Sequence, residues 1–132
     1  MKATADTNVL VRVLVLDDER QSKIAEAELK KADLIALTLP ALCELVWVLS
    51  QGYKISSSEI AAAIRGLTNA VNVVVNRPAV EAGLAQLDAG GDFADGVIAY
   101  EGNWLGADDF ISFDKKAVRR LHAQGASARL LN

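Results

Sequence analysis

Four acidic residues separated by long intervals, Asp6, Glu44, Asp95 and Asp114, carry the chemistry that the sequence offers. Brought together they would be an oxygen-only donor set, and such sets select hard cations such as Mg2+ or Mn2+. Gathered carboxylates repel one another, so their proton affinity rises unless cations neutralise them. A site of that kind hydrolyses phosphodiesters: metal ions activate a water, orient the scissile phosphate and stabilise the charge that accumulates on its oxygens. Nothing favours zinc, because the chain has one histidine, His122, and one cysteine, Cys43. His122 reads as a surface or helix-end residue, and Cys43, inside an apolar run, as a small buried hydrophobe.

Each acid also has a plainer role open to it. Asp6 and Asp114 fall at strand-to-helix transitions, where aspartate is a preferred N-cap, so each is as apt to be a cap as a catalyst. Asp92 and Asp95, three apart at a helix start, resemble a capping box, and Asp92 is assigned mainly to capping. Asp95 is set among Phe93, Ala94, Val97, Ile98 and Ala99, where a charge calls for a partner. Glu44 is the only charge between Asp33 and Lys54, with Pro40, Ala41, Trp47 and Val48 as its helical neighbours. A solvent-facing glutamate and a carboxylate held by a metal or charge network both remain open there.

The elements that must position these acids follow from periodicity. Short apolar runs alternate with longer helical segments, the pattern of an α/β domain with a mostly parallel sheet. Strands are expected at Ala3–Ala5, Leu34–Leu37, Asn72–Val75, Phe110–Phe113 and Ala128–Leu131. Helices are expected over Thr7–Leu16, over Arg20–Lys31 with Ile24, Ala25 and Leu29 inward, and over Leu39–Gln51. A further helix starts from a Ser57 or Ser58 cap and runs to about Asn69, burying Ile60, Ala61, Ile64 and Leu67. Another opens at Arg77-Pro78 and ends at Ala89-Gly90-Gly91; the next runs from Asp92 to about Trp104, and the last from Asp114 to about His122. In a parallel sheet all strand carboxyl ends share one edge, so Asp6 and Asp114 can meet where open α/β sheets place ligands. With no repeat or linker, one domain over 1–132 is expected.

Bulk properties narrow the function further. An apolar fraction of 52% and charged residues at 23% describe a chain that folds. The formal net charge of −3 is the wrong sign for holding nucleic acid by bulk electrostatics. Local charge must serve instead, from bound cations and from the basic cluster Lys115, Lys116, Arg119 and Arg120. That cluster could steer RNA phosphates or be a solvated helix face. Trp47 and Trp104 could stack on bases, though core or interface positions suit them better. The first apolar stretch is broken by Asp6 and Arg12, unlike a signal peptide, and the run Leu34–Ser50 falls short of the roughly 20 residues of a spanning helix. A cytoplasmic protein without a membrane segment is expected.

Ala5-Asp6-Thr7-Asn8-Val9-Leu10-Val11-Arg12, Glu44 inside an apolar helix, Asp92-Phe93-Ala94-Asp95-Gly96-Val97-Ile98-Ala99, and Ile111-Ser112-Phe113-Asp114-Lys115-Lys116 together resemble a PIN domain, specifically the VapC-like toxins of bacterial toxin–antitoxin pairs. The resemblance covers essentially the whole chain. It implies a three-layer α/β/α fold with a mostly parallel sheet of four or five strands, and Mg2+- or Mn2+-dependent endoribonuclease activity. By motif position Asp6, Glu44, Asp95 and Asp114 would bind metal, with Thr7, Asn8 and Ser112 as supporting polar groups. It further implies a homodimer and a small antitoxin whose tail occupies the catalytic groove. Gly96 departs from the alanine more usual after the third acid, which is expected to loosen that helix start, and Tyr100, Glu101 and Asn103 depart from the expected small residues. Two rivals are a phosphate-monoester hydrolase or phosphoacceptor domain, disfavoured because Asn8 stands where a second aspartate is wanted, and a catalytically silent partner-binding module.

Overall fold

The computed structural model describes all of residues 1–132, which form two compact units, Met1–Asn76 and Arg77–Asn132. In the first, β1 (Lys2–Thr4), β2 (Leu34–Ala36) and β3 (Val73–Val74) form a parallel sheet in that order. Ala3 lies opposite Ile35, and Ile35 opposite Val73. The ladder continues past the strands, with Ala5 N–H donating to Ala36 O and Leu37 N–H to Val74 O. Four helices fill this unit: α1 (Thr7–Leu14), α2 (Glu19–Lys31), α3 (Leu39–Trp47) and α4 (Ser57–Thr68). Its core comprises Leu10, Ile35, Leu42, Leu45, Leu49, Ile60 and Ile64, each at most 2% exposed. Each such side chain contributes about 1.5–3 kcal/mol relative to exposure, and together they fix the helices on the sheet.

The second unit holds α5 (Arg77–Asp88), α6 (Phe93–Trp104), β4 (Phe110–Ser112), α7 (Lys115–Ala123) and β5 (Ala128–Leu130). β4 and β5 pair in parallel with α7 as the crossover, and Val118, Leu121 and Ala128 form the core beneath, flanked by Phe110 and Leu130. α5 ends in a Schellman turn. Gly90 at φ +82° lets Gly91 N–H reach Gln86 O (2.7 Å) and its own N–H reach Leu87 O (3.0 Å). All five expected strands form and all pairings are parallel, with the hydrogen-bonded ladders grouped as three strands and two.

Several local expectations are corrected. α2 begins at Glu19 behind the Asp18 cap, and Ile24 points outward at 52% exposure while Ser22 and Ala25 are buried. A polar helix with a narrow inward stripe at 22, 25 and 29 leaves position 24 about 100° or more off that stripe. The α4 cap is Ser56, whose hydroxyl accepts from Glu59 N–H at 3.3 Å, and Leu67 is only half-buried. The helix expected to reach Gln51 changes at Val48–Gly52 into a π-helical turn, closed by Tyr53 N–H to Val48 O. Cys43 is half-buried, and Trp47 and Trp104 lie at the surface at 66% and 79% exposure, so neither tryptophan is core. No helix is long and apolar enough to cross a membrane.

Candidate functional site

Asp6 leaves β1 and enters α1 with extended backbone (φ −75°, ψ 156°), and its Oδ1 accepts from Thr7 N–H at 2.8 Å. Thr38 stands in the corresponding place two residues past β2, its hydroxyl accepting from Ala41 N–H at 3.4 Å as the cap of α3. Because Thr4 pairs with Ala36, the register carries both helix starts to one sheet edge. Buried Thr7 ties them, its hydroxyl donating to Ala41 O at 3.3 Å. One turn on, Glu44 joins Asp6, Thr7, Thr38, Pro40 and Ala41 around an open pocket of about 330 Å3. The structure thus brings Asp6 and Glu44 to one cavity in the first unit.

The surroundings of Glu44 differ from those expected. It is exposed, and on its face of α3 the neighbours four before and three after, Pro40 and Trp47, are exposed too. The helix is apolar in composition but buries only the side carrying Leu42, Leu45 and Val46. Solvent reaches the carboxylate, so burial does not demand a partner for it. Asn8 is also exposed and lines a separate cavity with Arg12 and Arg20.

In the second unit Asp92 caps α6, its Oδ1 accepting from Ala94 N–H at 3.2 Å. Asp95, in the first turn, is half-buried, and its carboxyl is held above the usual aspartate range. Burial is the largest cause, and the charges of Asp92 and Asp114 add to it while Arg120 opposes them. Asp114 caps α7 through Oδ1, which accepts from both Lys116 N–H (3.0 Å) and Ala117 N–H (3.1 Å). Ser112 Oγ accepts from Asp114 N–H at 2.9 Å and fixes the turn. The structure therefore brings Asp95 and Asp114 within each other's field, as it does Asp6 and Glu44 within one pocket.

Gly96 has a role opposite to the loosening expected. A Cβ there would stand 2.2 Å from Ala82 O and 2.6 Å from Ala82 C, so only glycine lets α6 press against the backbone of α5. Gly83 answers it from α5, where a Cβ would meet the Phe93 ring at 2.6 Å. The glycines thus hold the helix that carries Asp95. The basic cluster also divides. Lys115, Lys116 and Arg119 are exposed, whereas Arg120 is half-buried and packs over Gly91. Thr38, and the contact of Arg120 with the helix-ending Gly91, escaped the sequence reading. For Thr38 the signal was present, a threonine immediately before Leu39-Pro40, but no residue pattern announces that a neighbour's side chain will fill the space over Gly91.

The donors suit a hard cation by chemistry. All are carboxylates, capping engages only Oδ1 of Asp6 and of Asp114, and Asp95 carries a charge that its surroundings disfavour. They come as pairs: no group of three or more His, Cys, Asp or Glu side chains is gathered for a metal ion.

No curated protein sequence matches the chain. The sequence does match the PIN domain family over residues 3–120, a span that includes every one of the four acids. PIN domains are in general nucleases, often toxins, and typically bind Mg2+ or Mn2+. An α/β chain of parallel strands, with acids at its helix starts and a family match over nearly its whole length, belongs to the PIN domain family.

Proposed function

We propose that residues 1–132 work as one nuclease domain, and that the chain is a Mg2+- or Mn2+-dependent endoribonuclease, the toxin of a toxin–antitoxin pair. Asp6, Glu44, Asp95 and Asp114 are the acids that would hold the cation, which when bound supplies an activated water and neutralises charge on the scissile phosphate. The observation that carries this reading is the state of Asp95: a half-buried carboxylate, raised in proton affinity by its burial and by Asp92 and Asp114, in a chain matching a nuclease family. A fold that compensates such a charge only in part, through Arg120, favours a ligand that completes the compensation.

The chain's own residues prepare the acids. Thr7 pins the start of α1 to α3, so that Asp6 and Glu44 keep a common pocket. Ser112 holds the turn that presents Asp114, and the Oδ2 atoms of Asp6 and Asp114 remain for a cation because Oδ1 serves the caps. Asn8, exposed two residues after Asp6, is a supporting polar group toward RNA. Lys115, Lys116 and Arg119 project into solvent beside Asp114 and attract the polyanion to an otherwise acidic protein. The toxin role brings a homodimer and an antitoxin partner, acting in the cytoplasm.

The test is cleavage of single-stranded RNA by the purified protein. Activity should vanish in EDTA and return with excess Mn2+ or Mg2+, and sequencing of RNA ends after induced expression should show internal cuts. Cleavage that persists in chelator, or intact RNA with Mn2+ present, overturns the reading. Co-purification with a short DNA-binding protein encoded by an adjacent reading frame is the outcome expected for the toxin role.

A further inference from the structure

Arg120 is the residue of the basic cluster that the fold itself positions. It lies three residues after buried Ala117, at the margin of the face of α7 that is packed inward. Its side chain crosses Gly91: a Cβ built at that glycine would stand 2.7 Å from Arg120 Cδ and 3.1 Å from Nη1. Any side chain at position 91 would claim the volume that the arginine stem occupies, so the absence of one is a notch for it. Gly91 immediately precedes the Asp92 cap, so the notch sets the guanidinium at the start of α6, in the turn that carries Asp95.

Two further facts bear on what the guanidinium does there. It lies beside Asp95 and Asp114 without an ion pair to either among the salt bridges of the fold, so its donors are not consumed there. Partial burial also makes its field stronger than that of Lys115, Lys116 or Arg119, which water surrounds. A planar fork of donors at fixed position matches the oxygens of a phosphodiester, and a lysine does not reproduce it.

We propose that Arg120, seated by the notch at Gly91 beside Asp95 and Asp114, contacts the scissile phosphodiester and donates to its non-bridging oxygens. The attacking water forms a new P–O bond and gives up a proton to solvent while the bond to the leaving oxygen breaks and that oxygen takes up a proton from solvent, and the guanidinium stabilises the negative charge that grows on the phosphoryl oxygens between those events. It neither gains nor loses a proton. Its contribution belongs to the transition state, whereas the exposed lysines and Arg119 act on encounter. This assignment rests on the endoribonuclease reading above.

The test compares wild type, Arg120→Gln, Arg120→Lys, Gly91→Ala and Arg119→Gln on one single-stranded RNA at saturating Mn2+, with melting followed by circular dichroism. Arg120→Gln should lower kcat about 10²-fold, in the range of a lost transition-state donor, and leave KM within about twofold. Gly91→Ala keeps every charge but displaces the arginine, and should lower kcat about tenfold. Arg119→Gln should raise KM and leave kcat within about twofold. Wild-type cleavage with kcat unchanged in Arg120→Gln overturns this assignment and leaves the nuclease reading intact. Failure of the wild type to cut RNA overturns both. If Arg120→Gln melts early, Arg120→Lys carries the decision: full activity there overturns the guanidinium role, and a kcat loss with unchanged melting supports it.

Discussion

The acid pairs of the two units are mounted by the same device and live in different electrostatic surroundings. In each unit an aspartate follows a strand, caps the next helix with Oδ1 and keeps Oδ2 in reserve: Asp6 before α1, Asp114 before α7. The partner acids diverge. Glu44 projects into solvent from a helix whose buried side is elsewhere, while Asp95 sits half-buried in the first turn of α6 with two aspartates acting on it. Of the four acids Asp95 alone is half-buried, whereas Asp6, Glu44 and Asp114 are exposed. The difference separates a carboxylate set in water from one whose charge burial and neighbouring aspartates disfavour.

Neutralising substitutions break the comparison most directly. Asp6→Asn and Asp95→Asn should each lower RNA cleavage by at least about 10²-fold, since an electrostatic stabiliser of the reaction is lost. In Mn2+ affinity measured by calorimetry, Asp95→Asn should weaken binding more than Glu44→Gln. Equal losses would show that desolvation of Asp95 contributes nothing to cation binding.

The helix that carries Asp95 depends on a close approach that no helix in the first unit shares. Gly96→Ala should destabilise the protein by about 3 kcal/mol in urea unfolding, because the intruding Cβ meets the backbone at Ala82 rather than a side chain that can swing away. A loss below about 0.5 kcal/mol would show that α5 and α6 yield easily.

A smaller effect separates capping from catalysis at Asp6. Asn caps as well as Asp, so Asp6→Asn should keep stability within a few tenths of a kcal/mol, whereas Asp6→Ala should cost about 1 kcal/mol, both abolishing cleavage. If Asp6→Asn cleaves like wild type, Asp6 is a cap alone.

The smallest effect is a dependence of stability on pH. Asp95 has a raised pKa in the folded protein, so its ionisation opposes folding above that value and costs nothing when the group is protonated in both states. In metal-free buffer Asp95→Asn should therefore melt above wild type at neutral pH, with the gap closing as pH falls below the ordinary aspartate range. Added Mn2+ should raise the melting temperature of wild type and reverse the order. A gap that widens toward acid would contradict the raised affinity of Asp95 for its proton.

Most elements were legible because their signals are local. Alternating apolar runs marked all five strands, and Asp6, Asp92 and Asp114 were recognisable as caps because capping depends on the residue and the next turn. The misplacements are of another kind. Ile24 was judged by its neighbours in sequence, and of the alternatives open to Trp47, Trp104 and Glu44 exposure removes the buried ones, because exposure is decided by which side of a helix the rest of the chain covers. Gly96 read as a loosening because its role lies in the backbone of a different helix.

By itself the sequence determined the order of elements and the parallel connectivity, for these follow from periodicity along the chain, and it offered the four acids as candidates through their chemistry and motif positions. Only tertiary structure decided which acid is desolvated, which arginine is held, and why Gly83, Gly91 and Gly96 bear no side chain. Solvation and steric exclusion depend on atoms brought near by folding, at sequence separations across which no local pattern acts.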